Sequence, residues 1–178
     1  MLRRSGLGRF GRDERGLAGV EFALVAPLMI LLYYGMVELT LGMMAERRAS
    51  HAASVVADLV SQTSSTSSTE MTDIFNVGVA ILSPFPAAPL KMRISSIKNV
   101  SNVNTVVWSR GYGQGGRTAG SSASLPASLL ASGESIIMAE VTYTYDSPIR
   151  QVIPNAKVFS DTFYLRPRKS SEVACSTC

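Results

Sequence analysis

The sequence predicts an α+β protein: one long N-terminal helix, a shorter second helix, and an antiparallel sheet of four strands. Three observations lead there. Leu17 to Val37 is an apolar run with Glu21 as its only charge. Beyond it, small and aliphatic residues keep recurring at helical spacing as far as Leu59. From Leu90 onward the pattern changes to the two-residue alternation of half-buried strands.

The apolar run comes first. At roughly 1.5 Å per residue, a helix over 17–37 is about 31 Å long, enough to cross a bilayer. Pro27 removes one helical hydrogen bond, to the carbonyl of Ala23, and predicts a bend in the span. A carboxylate at Glu21 is costly in hydrocarbon. It lies one turn inside the span, so reaching back to the headgroups is one way to relieve that cost. Arg3, Arg4, Arg9, Arg12 and Arg15 precede the run and Glu38 follows it, which orients the N-terminus toward the cytoplasm. A cleaved secretory signal is the competing reading. Its apolar core should be shorter, and no small-residue cleavage site follows Tyr34, where Gly35-Met36-Val37-Glu38 stands.

Helical periodicity continues past the span. Leu41, Ala45, Ala49, Ala52, Val56 and Leu59 form one stripe, with Glu46, Arg47, Arg48 and Asp58 off it. Residues 38–60 are expected to be a stalk, giving a helix of about 44 residues and roughly 66 Å. Its alanines allow close packing, on the chain's own head or on partner stalks. The Ser/Thr-rich stretch 61–69 reads as a flexible linker. Thr69 is the expected cap of a second helix over 70–82, which Pro84, Pro86 and Pro89 end.

Strands are expected from Leu90, Met92 and Ile94, over Val103–Arg110, over Ser135–Tyr145 and over Lys157–Leu165. Gly111 to Ser124 is glycine-rich and reads as a mobile loop, with a short helical turn at Leu125–Leu130. The exported head is therefore 70–168, followed by a tail at 169–178. Trp108, Tyr143, Tyr145, Phe159, Phe163 and Tyr164 are expected to fill the core and the cross-strand pairs.

The N-terminal residues carry a specific resemblance. Gly16 is followed, at the fifth position beyond it, by Glu21 and then Phe22, and Gly16-Leu17-Ala18-Gly19-Val20-Glu21-Phe22-Ala23-Leu24-Val25-Ala26-Pro27 resembles the TadE-type pseudopilins of tight-adherence (Tad/Flp) pili. The match is close over 14–50 and diffuse over 88–168. The resemblance implies a cytoplasmic leader, 1–16, cut after Gly16 by a prepilin peptidase, with Leu17 as the mature N-terminus. Gly11 and Gly19 set the acid at the wrong offset. It also implies a small pilin-like head and a single-pass inner-membrane protein of a bacterium, with its head outside. The implied partners are other pseudopilins, the major pilin, the inner-membrane assembly platform and the lipid bilayer. The implied role is to help initiate or cap a pilus, within the fibre or at its base.

Composition limits the alternatives. The chain has 178 residues and a net charge of +4, and the arginines of the leader carry most of that charge. This is no nucleic-acid footprint. His51 is the one histidine and lies among stalk alanines, without catalytic partners in sequence reach. Glu134, Glu140, Asp146 and Asp161 are scattered, and solvation explains them. No P-loop, metal-ligand cluster or nucleophile elbow occurs in the sequence, so no enzyme, cofactor or metal is expected. Cys175 and Cys178 could close a small disulfide, bond another chain or do redox chemistry, and they belong to a tail expected to be peripheral. An unprocessed single-span anchor binding an envelope partner, and a membrane-tethered thiol oxidoreductase, are the alternative functions.

Overall fold

A computed structural model describes residues 17–178, so the leader and Gly16 lie outside the described residues. Helix α1 runs from Leu17 to Ser61 without a break at Pro27. It ends where Gln62 and Thr63 donate their N–H groups back to the carbonyls of Asp58 and Val60, and where the hydroxyls of Ser61 and Thr63 bond the same two carbonyls. These local bonds replace the next helical turn.

The stretch expected to be a flexible linker is fastened at both ends. Ser65–Thr66 forms a short strand, β1, paired in parallel with Ala174–Cys175, and Thr66 is buried. Helix α2 (Ser68–Leu82) then starts earlier than expected, because its cap is Ser67 and not Thr69. The Ser67 hydroxyl accepts from the N–H of Glu70, while the Glu70 carboxylate accepts from the N–H of Ser67 at 2.9 Å. This reciprocal box satisfies two donors that a helix start leaves open. Helix α2 buries Met71, Phe75, Gly78 and Leu82. At Gly78 a Cβ would stand 2.9 Å from both Met92 Sδ and Val56 Cγ2, so only glycine lets α2 approach α1 and the sheet together.

The sheet consists of β2 (Leu90–Val100), β3 (Val103–Tyr112), β4 (Ser135–Tyr145) and β5 (Lys157–Leu165), all antiparallel in the order β3-β2-β4-β5. A two-residue turn joins β2 to β3, with Ser101 and Asn102 both at positive φ, the geometry that matches strand twist. The helices cover one face. There Met92, Ile94, Trp108, Ile137, Ala139, Val141 and Tyr143 pack against Ala45, Ala49, Ala53, Val56, Ala57 and Val60 of α1 and against Met71 and Phe75 of α2.

The segment between β3 and β4 covers the other face. It was expected to be mobile; instead Gly120 donates to the Val106 carbonyl at 2.8 Å, Val106 to Ser121 at 2.9 Å and Ala123 to Asn104 at 2.8 Å. Ala123, Leu125, Leu129 and Leu130 then pack on Ile97, Val106, Ile136 and Met138. Its expected helical turn is a single turn closed by Leu129 N–H to the Pro126 carbonyl. Arg117 pins it further, donating to Glu140, which also takes a two-point bond from Arg93 directly across the sheet.

The tail is part of the head, contrary to expectation. Val173 is fully buried, and its carbonyl accepts the indole N–H of Trp108 at 2.7 Å. Arg168 donates its N–H to the Ser61 carbonyl, Lys98 pairs with Glu172, and Ala174–Cys175 is strand β6 beside β1.

Candidate functional site: the exposed half of the long helix

Helix α1 has two halves with different surroundings. From Ala18 to Tyr34 the helix is exposed on nearly all sides, with Phe22 and Leu24 each 73 % exposed, while from Gly35 to Met44 one face is buried and Met36, on another, is 65 % exposed. From Ala45 onward an alanine-rich stripe is buried on the head. Among the described residues this is the one helix long and apolar enough to cross a membrane, with a mean hydropathy of 1.9 in its best window. A helix that is apolar around its circumference needs an apolar medium or partner helices on every side.

The predicted processing residues fall at the start of this half. Leu17 begins the helix; Glu21 and Phe22 lie exposed on its first turns, and Glu21 is the only charge before Glu38. Gly16 and the bond after it lie outside the described residues. Tyr33 and Tyr34, their rings 5.9 Å apart, occupy the last turns of the apolar run, where amphipathic rings favour the membrane–water interface.

The second acid of the helix behaves differently. Glu38 is completely buried beneath the segment joining β4 to β5. Its Oε2 accepts the N–H of Val152 at 2.6 Å. Burial pushes its carboxyl upward, but the Ser147 hydroxyl and the N–H groups of Val152, Ile153 and Arg150 outweigh that and hold it below the usual carboxylate range. Burial, with the Glu38 charge adding to it, pushes the neighbouring Tyr145 hydroxyl up. Gly35 and Gly42 flank Glu38 on the same face: a Cβ at Gly35 would stand 3.1 Å from Val152 Cγ2, and one at Gly42 3.6 Å from Ile153 Cδ1 and from Tyr145. The sequence reading missed this contact. Gly35, Glu38, Gly42, Ala45 and Ala49 continue the alanine stripe downward at helical spacing, and an acid set between two glycines on a packing stripe was the available signal.

The other candidate groups resolve into structural pairs. Glu134 pairs with Arg166 at 2.9 Å, Glu140 with Arg93 and Arg117, and Asp146 with Arg150, while Asp161 accepts the Ser50 hydroxyl at 2.7 Å. These carboxylates are therefore partnered, not merely solvated as the sequence suggested. His51 is exposed on α1 in a shallow groove with Glu46, Arg47 and Asp161. Cys175 and Cys178 lie side by side, Cα atoms 5.6 Å apart, a separation a disulfide accepts, and they sit on a strand end, not at a helix start that would activate a thiolate. Among the described residues no group of three His, Cys, Asp or Glu could hold a metal ion.

Comparison with known families finds a match confined to the long helix. The family described as TadE-like protein matches residues 16–58, which is α1 with the residue before it and without its last turn. No curated protein and no solved structure matches the chain. The long helix, with its exposed apolar half and its buried alanine stripe, is thus the part of the chain that is similar to the TadE-like family.

Proposed function

We propose that the chain is a minor pseudopilin of a Tad-type (Flp) pilus, cut after Gly16 by a prepilin peptidase and helping to initiate or cap the fibre used for surface adhesion. One observation carries this reading: the TadE-like match opens at Gly16, and five residues later Glu21 is the single charge on an exposed apolar helix. Cleavage leaves a positive α-amine on Leu17. When two such helices pack side by side with an axial shift, the Glu21 carboxylate of one meets the amine of the other. In hydrocarbon that pairing offsets part of the cost of burying each charge, and it selects one register. The helix stays in the inner membrane with the leader in the cytoplasm and the head outside, until other pseudopilins, the major pilin and the assembly platform take it up.

Glu21→Ala tests the register directly. The expected result is normal cleavage and normal export, with pili lost or greatly reduced in sheared surface fractions, because only the partner of a neighbour's amine has gone. Wild-type pilus levels in this variant contradict the role given to Glu21.

A further inference from the structure

The segment Asp146–Ala156, between β4 and β5, reaches farther down α1 than the rest of the head. Ile149 and Gln151 share a groove with Pro27, Ile30, Leu31 and Tyr34, all of which belong to the apolar run. The segment is held there at several levels: Val152 presses on Gly35, the Val152 N–H bonds the buried Glu38 carboxylate, and Ile153 packs at Gly42. It is also preshaped, since the N–H groups of Ile149 and Arg150 both donate to the Ser147 hydroxyl. Yet Val152 remains 46 % exposed at the helix level where the membrane surface is expected.

Depth follows from helix geometry. With the outer edge of the hydrocarbon at Val37, Tyr34 lies about 4.5 Å and Leu31 about 9 Å below it at 1.5 Å per residue. That is the depth, roughly 5–10 Å, to which interfacial elements embed their apolar side chains. From these placements we infer that Asp146–Ala156 is a second membrane contact: Ile149 and Val152 enter the outer leaflet beside the span, and the groove between Ile149 and Leu31 is filled by lipid acyl chains. The lipid is favoured over a protein occupant because the groove is continuous with the apolar surface that the bilayer already covers. Glu38 is the latch, since its removal frees the segment from the helix without touching the span. The head is thereby tied to the membrane at two points and cannot tilt freely on its stalk. The inference rests on the membrane-spanning reading of α1.

The test is a depth measurement on the full chain in vesicles of phosphatidylethanolamine and phosphatidylglycerol. Spin labels are attached singly at Ile149→Cys and Val152→Cys in a Cys175→Ser, Cys178→Ser background. Leu28→Cys marks the span, and Asn102→Cys marks the turn at the far end of the sheet. Labels at 28, 149 and 152 are expected to meet oxygen several-fold more readily than a water-soluble nickel complex, with the order reversed at 102. Adding Glu38→Gln should shift 149 and 152 toward the aqueous reagent while 28 stays in lipid. Labels at 149 and 152 in water, with 28 in lipid, overturn the second contact and leave the span intact. Labels at 149 and 152 shielded from both reagents overturn it too, and mean that protein fills the groove. A label at 28 in water overturns the membrane-spanning reading and this inference with it.

Discussion

The two halves of α1 are one unbroken helix built for two solvents. Below Gly35 the side chains are mostly large and apolar around the circumference, and they stay exposed. Above it, Ala45, Ala49, Ala52, Ala53, Val56, Ala57 and Val60 are buried on one face, while Glu46, Arg47 and His51 stay outside. The lower half touches the head only along the Gly35–Glu38–Gly42 face, so most of its surface must find lipid or neighbouring helices. The upper half is small-sided because both α2 and the sheet press against it. A helix is therefore not characterised by its mean hydropathy; what matters is whether its apolar residues encircle it or line one stripe.

The same substitution should be costly in one half and neutral in the other. Ala57→Leu adds bulk where there is no room and is expected to destabilise the head by about 1–3 kcal/mol, the usual cost of overpacking. Ala23→Leu adds the same bulk to an exposed apolar surface and should leave the head's melting temperature unchanged in detergent. Thermal melts of the two proteins check the pair, and equal melting temperatures break the comparison.

A smaller effect is expected at acid pH. Glu140 is half-buried, which raises its pKa, but its bonds to Arg93 and Arg117 outweigh that and hold it below the usual carboxylate range. Because the folded pKa is the lower one, this stability is complete above the unfolded value, about 4.3, and is lost as pH falls through the folded value. Glu38 and Glu134, also held low, act in the same direction. Melting temperature should therefore fall below about pH 4 in the wild type. Glu140→Gln should be less stable at neutral pH and show a shallower acid decline; an unchanged acid limb contradicts the role given to this carboxylate.

The smallest effect belongs to the terminal cysteines. The ring from Cys175 to Cys178 encloses two residues, so closing it constrains the unfolded chain little, and its contribution should lie at the low end of the roughly 0–5 kcal/mol range for disulfides. The tail itself is held by Val173, Trp108 and the β1–β6 pair, none of which needs the sulfurs. Replacing both cysteines by serine should barely move the melting temperature or alter the mass on non-reducing gels. Loss of a covalent dimer would assign them an intermolecular bond instead.

Local pattern made much of this fold legible. The alanine stripe predicted a helix ending near residue 60, and it ends at Ser61. Richness in β-branched and aromatic residues placed β4 where it occurs, β5 was expected over the same residues it occupies, and Trp108, expected in the core, is buried there. What was not legible depends on distant partners. Ser65–Thr66 is ordered by a tail more than a hundred residues later, and no local signal carries that pairing. The glycine-rich segment looked mobile because its fastening lies in the backbone of β3 and in Glu140. Of the candidate site, the exposed apolar helix with Glu21 was readable from composition, whereas Glu38 needed the fold, since its partner Val152 lies 114 residues away in the sequence.

Everything proposed for the fibre turns on the helix beginning its working life at Leu17, its free amine four residues from its one embedded acid, Glu21. Intact mass of the protein from its native membrane, with sequencing of its first residues, measures that directly. Leu17 is expected as the N-terminus, with the leader retained when Gly16 is replaced by arginine. Recovery of Met1 as the native N-terminus, or of a chain cut beyond Tyr34, contradicts it and leaves an unprocessed anchor or an ordinary secreted protein.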